Sequence, residues 1–268
     1  MSSTQLGPQL ERMRVRRAFD RAAHRYDTAA AVQRHIAQHL RSYLQEKLPA
    51  SNGALLDLGC GTGQALQWLQ NCAPAAPIIA LDFAPAMLQQ AQQRSPHVLV
   101  VCADMQALPL ADNSVQLAWS SLALQWCNPH VFMREIARVL QPRGQALIAT
   151  LGPDTLCQLR KAFQGLDQFS HVHEFANLLD VQQAALQAGL AIEVLHQSPY
   201  VVHRPNLRAI LNDLKGIGAN SSGPQQRRRM LGRTAWQQVE RQYEAQREPD
   251  GLPVTYDLLL ARIRKLEA

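Results

Sequence analysis

At 268 residues, 47% hydrophobic and 18% charged, the chain has the length and composition of one large globular domain, which excludes disorder as its default state. A chain this long buries roughly three quarters of its unfolded surface, so it needs neither disulfides nor a metal to fold. No apolar run approaches the ~18 residues of a membrane-spanning helix, and Met1–Gln9 leads into arginines without the apolar stretch of a secretory signal.

The five cysteines (60, 72, 102, 127 and 157) are odd in number and form no C-x-x-C pair. They read as buried thiols of a reducing compartment, so the cytoplasm is the expected location. The net charge of +6 is uneven. Residues 1–48 hold nine Lys and Arg against four acids, 49–160 five against six, and 161–268 thirteen against eleven. That distribution argues against a uniformly basic nucleic-acid binder and for one local docking surface toward something acidic. Neither nucleic acid nor a membrane is an expected partner.

The chain opens on a basic helix. Arg14, Arg17, Arg21 and Arg25 fall on one stripe of a helical wheel, and Val15, Phe19, Ala22 and Tyr26 on another. The arginines either keep a solvated helix soluble or form a docking face. A second helix is predicted over Ala29–Leu48. Strands are then expected at Ala54–Asp57, Pro77–Leu81, Val98–Cys102, Val115–Trp119 and Ala146–Leu151. Helices are expected at Ala65–Leu69, Pro85–Arg94 and Val131–Leu140, the last turning Phe132, Ile136, Val139 and Leu140 inward. Short apolar runs separated by helices mean buried parallel strands, hence an α/β fold with a doubly wound sheet. Downstream, Asn177–Ala188 reads as a helix, Ala191–Val202 as a strand region, and Pro205–Ile217 as a helix. Ala219–Pro224 is a loop by composition. Thr234–Arg247 follows as a helix with Thr234 as N-cap, and Leu252–Leu260 as the closing strand.

The glycine loop Leu55-Leu56-Asp57-Leu58-Gly59-Cys60-Gly61-Thr62-Gly63 lies between a strand and a helix, where backbone can approach a ligand closely. Its G-x-G-x-G spacing lacks the third glycine of a dinucleotide fingerprint, and Asp57 would repel a pyrophosphate. The same carboxylate suits the ammonium of an amino-acid moiety, which points to S-adenosylmethionine instead of a nicotinamide cofactor. Asp82, 25 residues on, ends the second strand where a carboxylate can hold both ribose hydroxyls. Met87 can cover one face of an adenine, and Asp104, after the third strand, can accept from the adenine amino group.

LDLGCGTG followed by LDFAPAML resembles the class I S-adenosylmethionine-dependent methyltransferases. The segments AFDRAAHRYD (18–27), SSLALQWC (120–127), LKGIGA (214–219) and GLPVTYDLLL (251–260) further resemble the malonyl-[acyl-carrier-protein] O-methyltransferases of the biotin pathway. That resemblance implies a mostly parallel, Rossmann-like sheet of seven strands and a single domain. The domain would comprise an N-terminal helical cap (1–48), a cofactor-binding core (49–195), a helical insertion or lid (196–250) and the last strand (251–268). It implies methylation of the free carboxylate of malonyl-[acyl carrier protein], with S-adenosyl-L-homocysteine leaving and no metal. Malonyl-CoA is a further acceptor to test.

A malonyl carboxylate is already ionised at neutral pH, so no general base is needed, and none of the histidines pairs visibly with a catalytic partner. His171-x-His173 reads as a loop pair instead of a metal site. Tyr26, Gln125 and Trp126 are the positioning candidates. Tyr26 either closes over the cofactor or substrate or packs in the core, and Trp126 either positions the acceptor or forms a pocket wall. The Arg14/Arg17/Arg21/Arg25 stripe, or Arg227–Arg229 with Arg233, is expected to dock the acidic carrier protein. The competing expectations are a methyltransferase for a quinone or other small acceptor, an RNA-associated protein of the same fold, and a nicotinamide oxidoreductase.

Overall fold

The computed structural model describes residues 3–44, 48, 52–167, 170–219 and 232–267, with side chains at the N-terminus from residue 10 onward, residue 11 excepted. The basic patch at 227–229 and most of the 219–224 loop therefore lie outside the described residues.

Three helices, α1 (Ser3–Ala22), α2 (Tyr26–Ala29) and α3 (Ala31–Arg41), precede the sheet. The core alternates β1 (Ala54–Leu58), α4 (Leu66–Cys72), β2 (Ile78–Asp82), α5 (Pro85–Arg94), β3 (Leu99–Cys102) and β4 (Val115–Ser121). It continues through α6 (Pro129–Val139), β5 (Leu140–Leu151), α7 (Cys157–Phe163), α8 (Leu178–Gln187) and β6 (Leu190–Arg204). Helices α9 (Leu207–Gly216) and α10 (Arg233–Glu244) lead to β7 (Leu252–Lys265). The seven strands run in the order β3-β2-β1-β4-β5-β7-β6. All pairings are parallel except those of β7, which lies antiparallel between β5 and β6. This is the doubly wound, mostly parallel sheet the apolar runs predict.

The apolar content of the strands explains the layering. Every residue of β1 is buried because helices cover both faces of the sheet. On one face α3 to α5, α7, α9 and α10 pack Ile36, Leu40, Leu69 and Tyr243 against Leu55 and Trp119. On the other, α6 and α8 press Phe132, Ile136, Val139 and Ala184 onto Leu56, Leu58 and Ile148. Phe132 is wholly buried, and a residue of that kind contributes about 3–5 kcal/mol against truncation to alanine.

Several elements depart from the sequence expectations. The helix foreseen over Ala29–Leu48 starts only at Ala31, after a separate turn at α2, and ends at Arg41. Ser42 and Tyr43 then tighten into turns by donating to His39 and Leu40 carbonyls. Helix α7 was not foreseen at all; its seven residues follow Leu156, which adopts a left-handed φ of 56°. Strand β6 runs on to Arg204, paired with β7 throughout, so the helical excursion begins at 205 and not at 196. Gly232, not Thr234, caps α10, its carbonyl accepting from Trp236. Among the cysteines, Cys60 is buried, but Cys102 is exposed and the other three are half-buried.

Candidate active site

The parallel strands deliver Asp57 of β1, Asp82 of β2, Asp104 after β3 and the Leu124–Trp126 turn after β4 to one edge of the sheet. At that edge the glycine loop folds back on β2, Gly59 and Cys60 both donating to the Leu81 carbonyl. Gly59, Gly61 and Gly63 all have φ between 52° and 80°, a region that costs residues with a side chain. A Cβ at Gly59 would lie 2.4 Å from that of Ala123, whereas one at Gly61 would meet nothing within 4 Å. Gly59 thus serves packing, and Gly61 presents bare backbone to open space.

Asp82 is 6% exposed and clamps this loop: its carboxylate accepts from the Gly61 N–H at 3.0 Å and the Ala84 N–H at 2.8 Å. Burial nevertheless pushes its carboxyl up to about 6, against those two donors and the Phe83 N–H. Asp57 is 2% exposed, and its Oδ2 has no hydrogen-bond partner among the described residues. Burial, then the neighbouring Asp82 charge, pushes Asp57 up to about 8, with Arg41 opposing. Two buried carboxylates, one with an unpartnered oxygen, beside an open glycine backbone form the electrostatic complement of a cation. These residues fit the aminoacyl and ribose parts of S-adenosylmethionine.

At Asp104 both carboxylate oxygens are engaged. Its Oδ1 accepts from the Gln106 N–H at 2.9 Å and its Oδ2 from Arg12 at 2.8 Å. Its loop is held in turn by Arg138, which donates to the Leu108 and Leu110 carbonyls and to Asp112. Met87 is 1% exposed, packed with Ala23, Ala84, Phe19 and Tyr26 under the N-terminal helices.

Tyr26, Gln125 and Trp126 come together. All three line an apolar cavity of about 200 Å³ beside the acidic edge, with Phe19, Leu156 and Tyr256 among its walls. Burial, then the charges of Asp82 and Asp27, raise the Tyr26 phenol, so it stays neutral. Trp126 stands edge-on to Phe19, its ring centroid 5.6 Å away, and its buried Nε1 donor has no partner among the described residues. Gln125 accepts from the Thr150 hydroxyl at 3.3 Å, and its carbonyl accepts from the His173 ring at 2.9 Å. His171 and His173 sit in the α7–α8 loop, His171 bonded to Asp167 at 2.9 Å and stacked on Phe163. Both rings line the same cavity, which the sequence did not foretell. Among the described residues no group of three or more His, Cys, Asp or Glu is placed to hold a metal.

Sequence reasoning also missed the strap over this site. Asp20 of α1 accepts from the Ala86 N–H at the start of α5 at 3.1 Å. Asp27 of α2 accepts from the Thr62 hydroxyl at 2.6 Å and the Gln64 amide at 2.8 Å, and pairs with Arg94 at the end of α5. Burial alone would raise the Asp27 carboxyl, but those three donors hold it below the ordinary carboxylate range. Arg14, Arg17, Arg21 and Arg25 are all exposed along α1 and just after it, while Val15, Ala18 and Ala22 pack inward. Arg233 is the first residue of α10.

Residues 56–148 match a methyltransferase-domain family model. The chain is 40% identical over 259 residues to a malonyl-[acyl-carrier protein] O-methyltransferase of Dechloromonas aromatica (strain RCB), covering 97% of each chain. It is 38% identical over 255 residues to a biotin biosynthesis bifunctional protein BioHC of Cellvibrio japonicus (strain Ueda107), covering 94% of this chain and half of that one. Among solved structures, the YcgJ protein of Bacillus subtilis shares the fold, with a TM-score of 0.60 at 15% identity over 87% of this chain and 100% of that one. With two-fifths of its residues shared along almost the full length of such a relative, the chain belongs to the malonyl-[acyl-carrier protein] O-methyltransferase family.

Proposed function

We propose that this enzyme methylates the free carboxylate of a malonyl unit carried on acyl carrier protein. The observation that carries the reading is the apolar cavity lined by Tyr26, Gln125 and Trp126, set beside the buried carboxylates of Asp57 and Asp82. When bound, S-adenosylmethionine supplies an electrophilic methyl group on a sulfonium, and direct displacement demands alignment above all.

In this reading Asp57 holds the donor's ammonium, Asp82 its ribose hydroxyls, and Gly61 the backbone face on which it rests. Asp104 and Met87 complete the adenine end once α1 shifts from the contacts it makes with both. Tyr26, raised and therefore neutral, sits between the acids and the cavity and orients without exchanging a proton. The acceptor carboxylate is ionised at neutral pH, so the cavity needs donors and not a base. Trp126 Nε1, buried and unpartnered, is the donor best placed to hold it. No metal enters this scheme. The N-terminal cap and α9 cover the site, and the α1 arginines meet the acidic carrier.

The test offers purified enzyme labelled S-adenosylmethionine with malonyl-[acyl carrier protein], malonyl-CoA and bulk tRNA in parallel. Label in a base-labile ester on the malonyl carrier is the expected result. Label in tRNA alone, or none despite tight cofactor binding, rejects the acceptor.

A further inference from the structure

The LKGIGA segment (214–219) has a structural reason for each of its glycines. A Cβ on Gly216 would lie 2.6 Å from that of Ala29, and one on Gly218 would lie 3.2 Å from the Ala18 backbone. The end of α9 is therefore pressed flush against α1 and α2. Leu214 and Ile217 on one side of this seam join Phe19 and Tyr26 in the acceptor cavity. Lys215 on the other side joins Arg21 and Arg25 around a separate groove of about 430 Å³, floored by Ala18, Ala22 and Gly216.

None of these three cations forms an ion pair with a described residue, although arginines 12, 16, 94 and 204 all do. Three like charges around a floor of small side chains repel one another until an anion enters. Three cations lining one groove suit a phosphate, whose oxygens can accept from all three at once, better than carboxylates spread over a protein face. Arg14 and Arg17, farther up α1, lie outside it and remain available for such a face.

We propose that this groove takes the phosphodiester of the phosphopantetheine arm, so that the arm runs over the outside of the closed α1–α9 seam toward the cavity that receives its malonyl thioester. The proposal rests on the carrier-protein reading above and adds Lys215 as a recognition residue.

Calorimetric titration with 4′-phosphopantetheine and with pantetheine tests the groove without any methyl transfer. The wild type should bind the phosphorylated arm about tenfold or more tightly than the dephosphorylated one, and R21Q/R25Q/K215Q should lose that difference. In turnover, the triple variant should lose about tenfold or more in kcat/KM with malonyl-phosphopantetheine and less than about twofold with malonyl-pantetheine. Equal binding of the two arms by the wild type, or equal loss on both thioesters, overturns the groove. Phosphate-dependent binding with no methylation of any malonyl thioester supports the groove and overturns the acceptor reading instead.

Discussion

The Thr62 hydroxyl donates to the Asp27 carboxylate at 2.6 Å, and that bond fastens the N-terminal segment to the glycine loop. Gln64 and Arg94 bond the same carboxylate, so loop, α5 and α2 meet at one acid. The strap crosses the edge that carries the buried carboxylates of Asp57 and Asp82.

Replacing Asp27 by alanine removes this meeting point. Asp27 and Arg94 are each about 40% exposed, so solvent screens their pair and the loss amounts to roughly 1 kcal/mol. The chain should fold, bind cofactor several-fold more weakly and release S-adenosylhomocysteine faster in stopped-flow experiments. An unchanged release rate would remove the strap from cofactor retention.

Gly59 and Gly61, two positions apart, should respond to alanine differently. At Gly59 the new methyl group collides with Ala123 at 2.4 Å while φ stays at 69°. Strain and overpacking together should cost about 2–4 kcal/mol of stability. At Gly61 nothing stands within 4 Å, so only the backbone penalty of about 1–2 kcal/mol applies. Cofactor affinity should nevertheless fall far more for Gly61→Ala, because the methyl group occupies the face offered to the ligand. Thermal melts and calorimetry on both variants check this, and a Gly61 variant that binds normally would place the ligand elsewhere.

The core of this fold was legible because parallel strands buried on both faces must be short apolar runs, and those of β1, β2 and β5 end at Gly59, Asp82 and Gly152, while the edge strand β3 is apolar yet largely exposed. The acids at the sheet edge followed from topology alone: Asp57, Asp82 and Asp104 share an edge because their strands are parallel. What topology does not encode is which side chain reaches across. Asp27 and Arg94 are 67 positions apart, and neither carries a local signal of the other. Likewise His171 and His173 read correctly as a loop pair, yet only the packing of that loop against Gln125 puts them in the cavity wall. The strand expected over Ala191–Val202 matches β6 closely, but the insertion boundary expected at 196 falls inside it, because the pairing with β7 that carries β6 to Arg204 leaves no local signal.

The raised carboxyls of Asp57 and Asp82 give the empty enzyme a pH signature. Their folded values of about 8 and about 6 lie above the unfolded carboxylate near 4, so the folded chain holds protons that the unfolded chain has released. Their contribution to stability is therefore full below about pH 4 and is lost as pH rises through about 6 and then about 8. A cationic ligand reverses the sense: it binds the ionised acids, so affinity should climb between pH 6 and 8 with release of a proton. Asp57→Asn should flatten both slopes relative to wild type, read as melting temperature without ligand and as calorimetric affinity in buffers of different ionisation enthalpy. Parallel slopes in variant and wild type would assign the titration to other groups.

Trp126→Phe separates holding the acceptor from building the wall. Phenylalanine keeps an aromatic ring edge-on to Phe19 and removes the Nε1 donor that is buried without a partner. A hydrogen bond to a charged group is worth about 1.5–3 kcal/mol, so KM for malonyl-[acyl carrier protein] should rise by at least about tenfold. Cofactor affinity should stay within about twofold, since the change lies on the acceptor side of the cavity. Acetyl-[acyl carrier protein], which lacks the carboxylate, serves as the control ligand: its binding should be equal in variant and wild type. If the variant weakens acetyl and malonyl carriers alike, Trp126 shapes the cavity and another donor meets the carboxylate. If it weakens neither, the carboxylate lies beyond its reach.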